Sequence, residues 1–591
     1  MKKRDEIQQQ YKWNINDMFE NDEKWQQELA SVSEDIKAFG EKSEAVSLSS
    51  LYDLLQKRDE LMERVDYLYV YAGLRANEDS GNSFYQAMSD KAEALITTWS
   101  TASAFVEPSI LALDEKGLLQ ELEKEPLCLY KHYIDDILRS RGHILSRDKE
   151  ELLAGFYEVG NAPSNIFYMI DNGDMTFPKV KDSNGEEHPL SHGTYISLLE
   201  SSDRVLRKNA FKAYYDTYYK QKNTLGAVYS ASVKKDIAYA RARNYASSLE
   251  AALSAYNIPI EVYKMLIEAV NKHLPLMHRY VKLRKKMLGV DKLHFYDLYT
   301  PLVKDTDNKK TYDEAKVQVL KAVSVMGEDY VKTLTSALNT EGWVDIYENQ
   351  GKRSGAYSWG AYGCHPFVSL NYNNTVDSMF TLAHEMGHAM HSHYTWANQP
   401  FVYGDYTIFV AEVASTVNEA LLMEELLKTT KDKVFKTYLL NYFMEQFRGT
   451  LFRQTMFAEF ELIAHETVEK GEALTFDSLC DIYMDLNKKY FGEEIEYDKE
   501  IAWEWARIPH FYTAFYVYQY ATGYSAAIAL SRNILNNNGA EQYLKFLKGG
   551  SSKYSIDLLK GAGVDMATPE PVENALKVFE GLLEEMEKID N

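Results

Sequence analysis

The helical spacing of apolar residues near the start of the chain constrains the fold more than any other feature of the sequence. Between residues 48 and 73 the apolar side chains recur every three or four positions, at Leu51, Leu54, Leu55, Leu61, Met62, Val65, Leu68 and Tyr69. This is the spacing of one face of an α-helix. Similar segments follow one another from residue 23 to about residue 140, joined by short polar turns. The pattern predicts antiparallel helices that bury their apolar faces against each other.

The length of the chain predicts more than one lobe. At 591 residues the chain exceeds the size at which a single hydrophobic core stops growing. The sequence changes character over residues 171–194, where two short extended runs flank Asn184-Gly185, a dipeptide typical of hairpins. We therefore expect an N-terminal helical lobe over residues 1–190, with the hairpin near its end, and a second lobe over residues 191–591.

Charge and composition argue against several classes of protein. The chain has 88 acidic and 65 basic residues and a formal charge of −23. Nucleic acid and anionic membrane surfaces are poor candidate partners, because both attract clustered Lys and Arg. The basic N-terminus lacks the apolar core of a secretory signal. The uncharged stretch 510–531 contains five tyrosines, which is typical of a buried helix rather than of a membrane span. We expect a cytoplasmic protein.

Four histidines and one glutamate lie within TLAHEMGHAMHSHY, residues 381–394. The residues from His384 to His388 read HEMGH, which is the HExxH pattern of zinc peptidases. On a helix, positions 384 and 388 share one face and lie one turn apart. Two imidazoles can then bind one metal ion, with Glu385 beside them. The pattern alone is a moderate signal, because five residues also match by chance in unrelated proteins.

A catalytic zinc ion requires a third protein ligand. His391 faces the same side of the helix, but it lies about 10 Å along the axis from His384 at the helical rise per residue. Tyr394 stands where the metzincin pattern requires a histidine. Those two residues are therefore excluded.

Glu412 is the remaining candidate for the third ligand. It interrupts the apolar run FVAEVA, and an unpaired buried carboxylate costs several kcal/mol. We therefore predict that His384, His388 and Glu412 bind one Zn²⁺ per chain. In the alternative interpretation, Glu412 lies on the polar side of an amphipathic helix together with Ser415 and Glu419. Cobalt or manganese could occupy the same ligands.

Two segments of the sequence resemble one known family. HEMGHAMH, in which twenty-three residues separate His388 from Glu412 of FVAEVAST, resembles the M3 family of zinc metallopeptidases. The closest resemblance is to the oligoendopeptidase F branch, whose C-terminal block is similar to ARIPHFYTAFYVYQYATGYSAA at residues 506–527. The resemblance covers nearly the whole chain. It implies a mainly α fold: a two-lobed helical bowl that encloses a deep substrate channel, with a small β element near the metal site. It also implies that residues 191–591 form the catalytic lobe and that short peptides are cut at internal bonds.

The predicted chemistry assigns roles to individual residues. Glu385 is expected to act as the general base towards a water molecule activated by zinc. The resemblance further implies that a histidine and tyrosines of residues 506–527 stabilise the transition state, and we assign these roles to His510, Tyr518 and Tyr512. If this stretch is helical, four of its tyrosines form one stripe: Tyr512, Tyr516, Tyr520 and Tyr524. In the alternative interpretation, that stripe packs between lobes.

The segment 355–372 is a candidate for binding the substrate backbone. HPFVSLNY, residues 365–372, is typical of a short strand that could pair with an extended peptide; ordinary loop packing is the alternative. Cys364 and His365 are expected to be a buried thiol and a solvent-facing imidazole rather than metal ligands. His391 is expected to contact the substrate or a group next to the metal.

Two other functions stay open from the sequence alone. One is a carboxypeptidase or dipeptidase of the same zinc class, which would act at chain ends. The other is a non-catalytic helical protein that binds peptides, in which the HExxH pattern is coincidental. A stoichiometric metal content would argue against the non-catalytic peptide-binding protein. The position of the cut bond would distinguish a carboxypeptidase or dipeptidase from an endopeptidase.

Overall fold

The computed structural model describes residues 2–41, 46–303, 309–339 and 342–590. Helices dominate these residues. In the first half of the chain they are α1 (Asp22–Glu41), α2 (Leu51–Glu78), α3 (Ser83–Ser103), α4 (Val106–Ala112), α5 (Glu115–Glu121), α6 (Lys131–Arg139), α7 (Arg147–Gly155), α8 (Tyr157–Tyr168), α9 (His192–Glu200), α10 (Arg204–Tyr219), α11 (Lys222–Ala242), α12 (Ser248–Ser254), α13 (Ile260–Lys272) and α14 (Leu274–Met287).

The second half of the chain is equally helical. Its helices are α15 (Tyr312–Ala322), α16 (Glu328–Asn339), α17 (Val376–Asn398), α18 (Ile408–Thr429), α19 (Lys433–Gln446), α20 (Arg453–Glu469), α21 (Phe476–Phe491), α22 (Tyr518–Asn537), α23 (Ala540–Leu547), α24 (Ser555–Gly561) and α25 (Glu570–Asp590). The strands are short: β1 (Val180–Lys181), β2 (Glu187–His188), β3 (Leu293–His294), β4 (Val344–Asp345), β5 (Tyr357–Trp359), β6 (Phe367–Ser369) and β7 (Ile495–Glu496). The mainly α fold with small β elements is confirmed.

The amphipathic pattern of residues 51–69 forms the helix α2 as predicted. Five of the predicted apolar positions are fully buried in the core around α2, namely Leu51, Leu55, Leu61, Val65 and Leu68. The other three, Leu54, Met62 and Tyr69, are partly buried and pack against that core. The helical period therefore identified the buried face correctly.

The described residues form two compact units, called unit 1 and unit 2 below. Unit 1 takes the described residues of Met1–Gly142, Asn308–Glu425 and Leu530–Val564. Unit 2 takes those of His143–Asp307, Leu426–Ala529 and Asp565–Asn591. Each unit is assembled from separate stretches of the chain. The division at residue 190 into an N-terminal lobe and a catalytic lobe stays a prediction.

The predicted hairpin at Asn184-Gly185 is present in unit 2. Strands β1 and β2 pair antiparallel, with Val180 opposite His188. Gly185 has a φ of 86°, a conformation that suits glycine because it lacks a Cβ atom. The turn is closed by Asp182, whose Oδ1 accepts the backbone N–H groups of Asn184 and Glu186, each at 2.9 Å.

A three-stranded sheet in unit 1 has the order β4-β6-β5. Its central strand β6 pairs parallel with β4 and antiparallel with β5. The predicted strand HPFVSLNY contains β6, so the prediction of a strand is confirmed. Its predicted role as an exposed edge is wrong, because β6 has a neighbour on both sides. The edge strands are β4 and β5.

The expected stripe of four tyrosines does not form. Helix α22 begins only at Tyr518, and Tyr512 belongs instead to a short 3-10 turn, Pro509–Tyr512. Phe515 lies between that turn and the helix with a φ of 54°, which is outside the helical region. Tyr512 and Tyr516 therefore do not share a helix face with Tyr520 and Tyr524.

Among the described residues, every helix is too short or too polar to cross a lipid bilayer. The cytoplasmic location stays a prediction.

Candidate metal centre

The HEMGH pattern lies in the middle of α17, as the sequence predicts. The helix begins after Thr375, whose Oγ1 accepts the backbone N–H of Ser378 at 3.1 Å and so satisfies a free amide of the first turn. His384 and His388 lie one turn apart, with ring centroids separated by 4.9 Å. Both imidazoles therefore extend from the same face of α17.

Helix α18 crosses α17 very closely at this point. A Cβ atom on Gly387 would lie 2.6 Å from the carbonyl oxygen of Ala414 and 2.6 Å from the Cα of Ser415, so only glycine fits there. One turn away, the side-chain amide of Asn418 donates to the carbonyl of Ala383 at 3.1 Å. These two contacts fix the position of α18 along α17, and hence the position of Glu412.

The three predicted ligands converge. Glu412 Oε2 lies 3.3 Å from Nε2 of His384 and 3.3 Å from Nε2 of His388, and the three ligand atoms all lie within 4.8 Å of one another. Ser415 Oγ donates to the same Oε2 atom at 2.8 Å and holds the carboxylate in this orientation. Two imidazole nitrogens and a carboxylate oxygen are a donor set that fits a divalent metal ion.

Glu419 orients the first of the two imidazoles. Its Oε1 accepts a hydrogen bond from Nδ1–H of His384 at 2.6 Å, which leaves Nε2 directed at Glu412. Burial disfavours a charged His384, but hydrogen bonds and charge from Glu412 and Glu419 outweigh it and raise the pKa of His384 to about 10. Burial likewise disfavours a charged Glu412, but hydrogen bonds from both imidazoles lower its pKa below the ordinary range.

Glu385 lies beside this group without joining it. The residue is only 7% exposed, and burial raises the pKa of its carboxyl, while the imidazoles of His384 and His388 oppose the rise. A carboxyl whose pKa is raised towards neutrality is suited to accept and return a proton. The position agrees with the predicted general base, whose role stays a proposal.

Two expectations about this region need correction. The Glu412 side chain is 44% exposed, so the argument from a buried carboxylate does not hold, and the case for Glu412 rests on its distance to the two imidazoles. His391 is 1% exposed and stacks on Tyr406 with ring centroids 3.8 Å apart. It therefore packs in the core of unit 1 and cannot touch a substrate. Burial lowers the pKa of His391 to about 3, with a smaller contribution from His388.

The three-stranded sheet packs against α17. A Cβ atom on Gly360, directly after β5, would lie 2.7 Å from the ring of Trp396 on α17. A small β element thus packs against the helix that carries the HEMGH pattern. His365 is half-buried, with its Nε2 atom 3.0 Å from Asp17 Oδ2. Among the described residues, neither His365 nor Cys364 belongs to a metal-binding group.

His510 lies in unit 2, at an exposed position of the segment that precedes α22. Tyr520 Oη lies 3.3 Å from its Nε2 atom, and the ring of Tyr516 stacks 5.9 Å away. Partial burial, and secondly the charge of Arg453, lower the pKa of His510 and favour the neutral ring. His510 thus lies beside Tyr516 and Tyr520, two tyrosines of the predicted stripe to which the sequence analysis gave no catalytic role.

The two tyrosines predicted as catalytic lie in the core of unit 2. Tyr518 is 2% exposed and packs on Tyr263 at 5.1 Å between ring centroids. Tyr512 is also buried and stacks on Phe167 at 4.5 Å. Their burial argues against the roles predicted for them, because a transition-state donor must reach the substrate.

A mainly helical fold with two histidines and a glutamate converging from crossed helices defines a class of protein: helical proteins with a candidate metal centre. Comparisons narrow the class. The family model of Peptidase family M3 matches residues 197–578, and that of Oligopeptidase F matches residues 109–177. The chain belongs to peptidase family M3 and is a peptide hydrolase.

Full-length relatives agree with this assignment. Oligopeptidase PepF of Bacillus subtilis is 51% identical over 591 residues, which cover 99% of this chain and 88% of the relative. Group B oligopeptidase PepB of Streptococcus agalactiae is 43% identical, with 99% of this chain and 98% of the relative covered. The crystal structure of oligoendopeptidase-F from Enterococcus faecium has a TM-score of 0.74 and 40% identity, and covers 96% of this chain and 99% of that one. A crystal structure from Chlamydophila abortus covers 100% of both chains, with a TM-score of 0.92 and 36% identity.

Proposed function

We propose that this peptidase is a zinc-dependent oligoendopeptidase, which hydrolyses internal bonds of short peptides. One observation carries the proposal: Glu412 Oε2 lies 3.3 Å from the Nε2 atoms of both His384 and His388, with Glu385 adjacent in the chain. Zinc fits two imidazoles and a carboxylate, although cobalt and manganese bind similar ligands. The relatives named oligopeptidase and oligoendopeptidase support short peptides as substrates.

The residues of the site divide the work of hydrolysis. His384, His388 and Glu412 hold the ion, while Ser415 and Glu419 fix two of these ligands by hydrogen bonds. A zinc ion held there would polarise a peptide carbonyl and would lower the pKa of water. Glu385 accepts the proton of the attacking water and delivers it to the leaving amine. The raised pKa of this carboxyl supports both halves of the transfer.

The developing charge on the carbonyl oxygen requires hydrogen-bond donors that are already in place. We assign this role to His510, on the resemblance of residues 506–527 to the family block. Its hydrogen-bond partner Tyr520 and its stacking partner Tyr516 are the tyrosines that the geometry favours. They replace Tyr518 and Tyr512, which are buried.

Strand β5 is the part of unit 1 that suits the peptide backbone. One side of Tyr357–Trp359 pairs with β6, and no described strand pairs with its other side. An extended peptide can add to such an edge through main-chain hydrogen bonds, which tolerate different side chains. Backbone pairing would allow peptides of varied sequence to be cut.

The variant Glu385→Gln tests the proposed mechanism. We expect it to retain one zinc ion per chain by elemental analysis and to lose about 10²–10⁴-fold in kcat, because only the proton transfer is removed. Glu412→Gln is the contrasting variant and should lose the ion as well. A fully active Glu385→Gln enzyme would exclude Glu385 as the base.

The position of the cut bond tests the endopeptidase assignment. A peptide blocked at both ends should be cut internally, and mass spectrometry of the fragments identifies the bond. Failure to cut blocked peptides, with release of terminal residues from free ones, would favour the carboxypeptidase or dipeptidase alternative. If the purified protein has neither stoichiometric metal nor peptidase activity, the alternative of a non-catalytic peptide-binding protein would be favoured.

A further inference from the structure

The segment that carries His510 contains a strained residue. Phe515 has a φ of 54°, in the left-handed region that non-glycine residues rarely adopt. Its side chain is buried and contacts the rings of Tyr263 and His465, with centroids 5.6 Å and 4.5 Å away. Such a conformation persists only where the surroundings hold it in place.

A buried carboxyl holds Phe515. Glu461 of α20 is 0% exposed, and its Oε1 accepts the backbone N–H of Phe515 at 2.6 Å. Its second oxygen has no hydrogen-bond partner among the described residues. Burial raises the pKa of Glu461 well above its usual range, although the bond from Phe515 opposes the rise.

The other end of the segment is fixed by the same helix. Glu504 is buried and accepts hydrogen bonds from Arg453 at 2.7 Å and from Arg507 at 2.9 Å. The hydroxyls of Tyr483 and Tyr215 also donate to it, at 2.6 Å and 3.2 Å. Arg453 and Glu461 both belong to α20, about 12 Å apart along its axis. Exposed His510 thus lies between two points that α20 holds.

Stability alone does not account for a carboxyl at position 461. A buried carboxyl with one unpaired oxygen is costly, whereas an apolar side chain of similar size is not. What Glu461 contributes is the acceptor for the Phe515 N–H group, in a segment where no helix supplies one.

We propose that Glu461 is a positioning residue: its carboxyl holds Phe515 in the left-handed conformation, which places Tyr516 and Tyr520 against His510. The proposal rests on the proposed function, in which His510 serves the reaction. Glu461 itself acts only through this segment.

Two variants of Glu461 separate positioning from packing. Glu461→Leu removes the acceptor, and Glu461→Gln keeps an uncharged oxygen at the same distance. For Glu461→Leu we expect about tenfold faster hydrogen exchange at the Phe515 amide. We also expect a 10- to 100-fold loss in kcat, with KM changed less than about twofold. A displacement of the His510 segment by about 1 Å is enough for a loss of that size. Glu461→Gln should stay within about threefold of the wild type in kcat and in exchange.

Glu459 provides the matched control on the same helix. Its carboxylate accepts from Tyr490 at 2.9 Å and from Asn271 at 3.2 Å, and neither residue belongs to the His510 segment. Glu459→Leu should lower the Tm without lowering kcat. An equal loss of kcat in Glu459→Leu and Glu461→Leu would overturn the proposal, as would unchanged exchange and kcat in Glu461→Leu.

The wild-type enzyme and two reference variants complete the test. If Glu461→Leu does not fold, hydrogen exchange of the wild-type enzyme still tests the proposal. Within residues 509–517, the proposal requires the Phe515 amide to exchange most slowly. A fully active His510→Ala enzyme would also overturn the proposal. In that case an inactive Glu385→Gln enzyme would show that the zinc peptidase assignment itself survives.

Discussion

The hydrogen bond between Glu419 and His384 shows how one side chain prepares another. An imidazole can bind a metal ion through either nitrogen, and a carboxylate on one nitrogen directs the other towards the ion. Glu419 accepts from Nδ1–H, so Nε2 is the atom presented to the metal. The bond also gives a structural role to a carboxylate that lies two turns after Glu412 on α18.

Replacing Glu419 should therefore weaken metal binding without removing a ligand. We expect Glu419→Gln to lower zinc affinity by about 10- to 100-fold, because an amide no longer attracts the imidazole proton with a full charge. Competition with a chelator of known affinity measures the change. Glu424→Gln, on the same helix but paired with Arg532 at 2.7 Å, should keep its affinity. Equal affinities in the two variants would show that Glu419 does not orient His384.

At the residue scale, the sequence predicts those parts of the site that depend on local spacing. His384, Glu385 and His388 follow from five consecutive positions. Glu412 followed from the chemistry of a third ligand, although its exposure was misjudged. Glu419 could not be assigned, because its role exists only once α18 is docked on α17. In the sequence it was one polar residue of an amphipathic helix.

At the scale of secondary-structure elements, the candidate metal site depends on how α17 and α18 cross. Gly387 is the point of closest approach, and the atoms facing it belong to the backbone of Ala414 and Ser415. Backbone atoms cannot rotate away as a side chain can. An added methyl group must therefore separate the helices, and Glu412 would move away from both imidazoles.

Gly387→Ala should consequently damage stability and metal binding together. We expect a loss of about 1–3 kcal/mol in the free energy of unfolding, which is usual for overpacking, and at least tenfold weaker zinc binding. Chemical denaturation and chelator competition measure the two effects. Gly581→Ala in α25 is the control, because a Cβ atom there meets open space and alanine favours helix. A Gly387→Ala protein with normal zinc affinity would show that α17 and α18 can move apart without loss of the metal site.

The predictions of elements failed where an element depends on distant neighbours. HPFVSLNY shows the composition of a strand, but its place in the centre of the sheet is set by pairing with β4 and β5. The tyrosine repeat of residues 512–524 has a helical period, yet the helix begins only at Tyr518. The left-handed Phe515 interrupts this repeat, and the acceptor that stabilises Phe515 comes from α20.

At the scale of the whole molecule, each compact unit gathers stretches that are far apart in the sequence. Unit 1 combines the N-terminal helices with α17 and with residues near the C-terminus. A change of composition, such as the one at residues 171–194, marks a local hairpin and does not reveal which distant stretches share a core. Helix content and the buried face of α2 were predictable because both are local properties.

The three proposed ligands all belong to unit 1, which determines what zinc should do to the stability of the molecule. A ligand that binds only the folded state stabilises it by about 2.7 kcal/mol at a hundredfold excess over its Kd. We therefore expect zinc, added to protein that a chelator has stripped of metal, to raise the Tm of the transition that unfolds unit 1 by several degrees. Calorimetry detects the shift, and hydrogen exchange should slow in α17 and α18 but not in α20. His384→Ala removes one of the three proposed ligands. It should abolish both the Tm shift and the slower hydrogen exchange, because two ligands bind the ion too weakly. A zinc-dependent shift that persists in His384→Ala would mean that the ion stabilises the protein from another site.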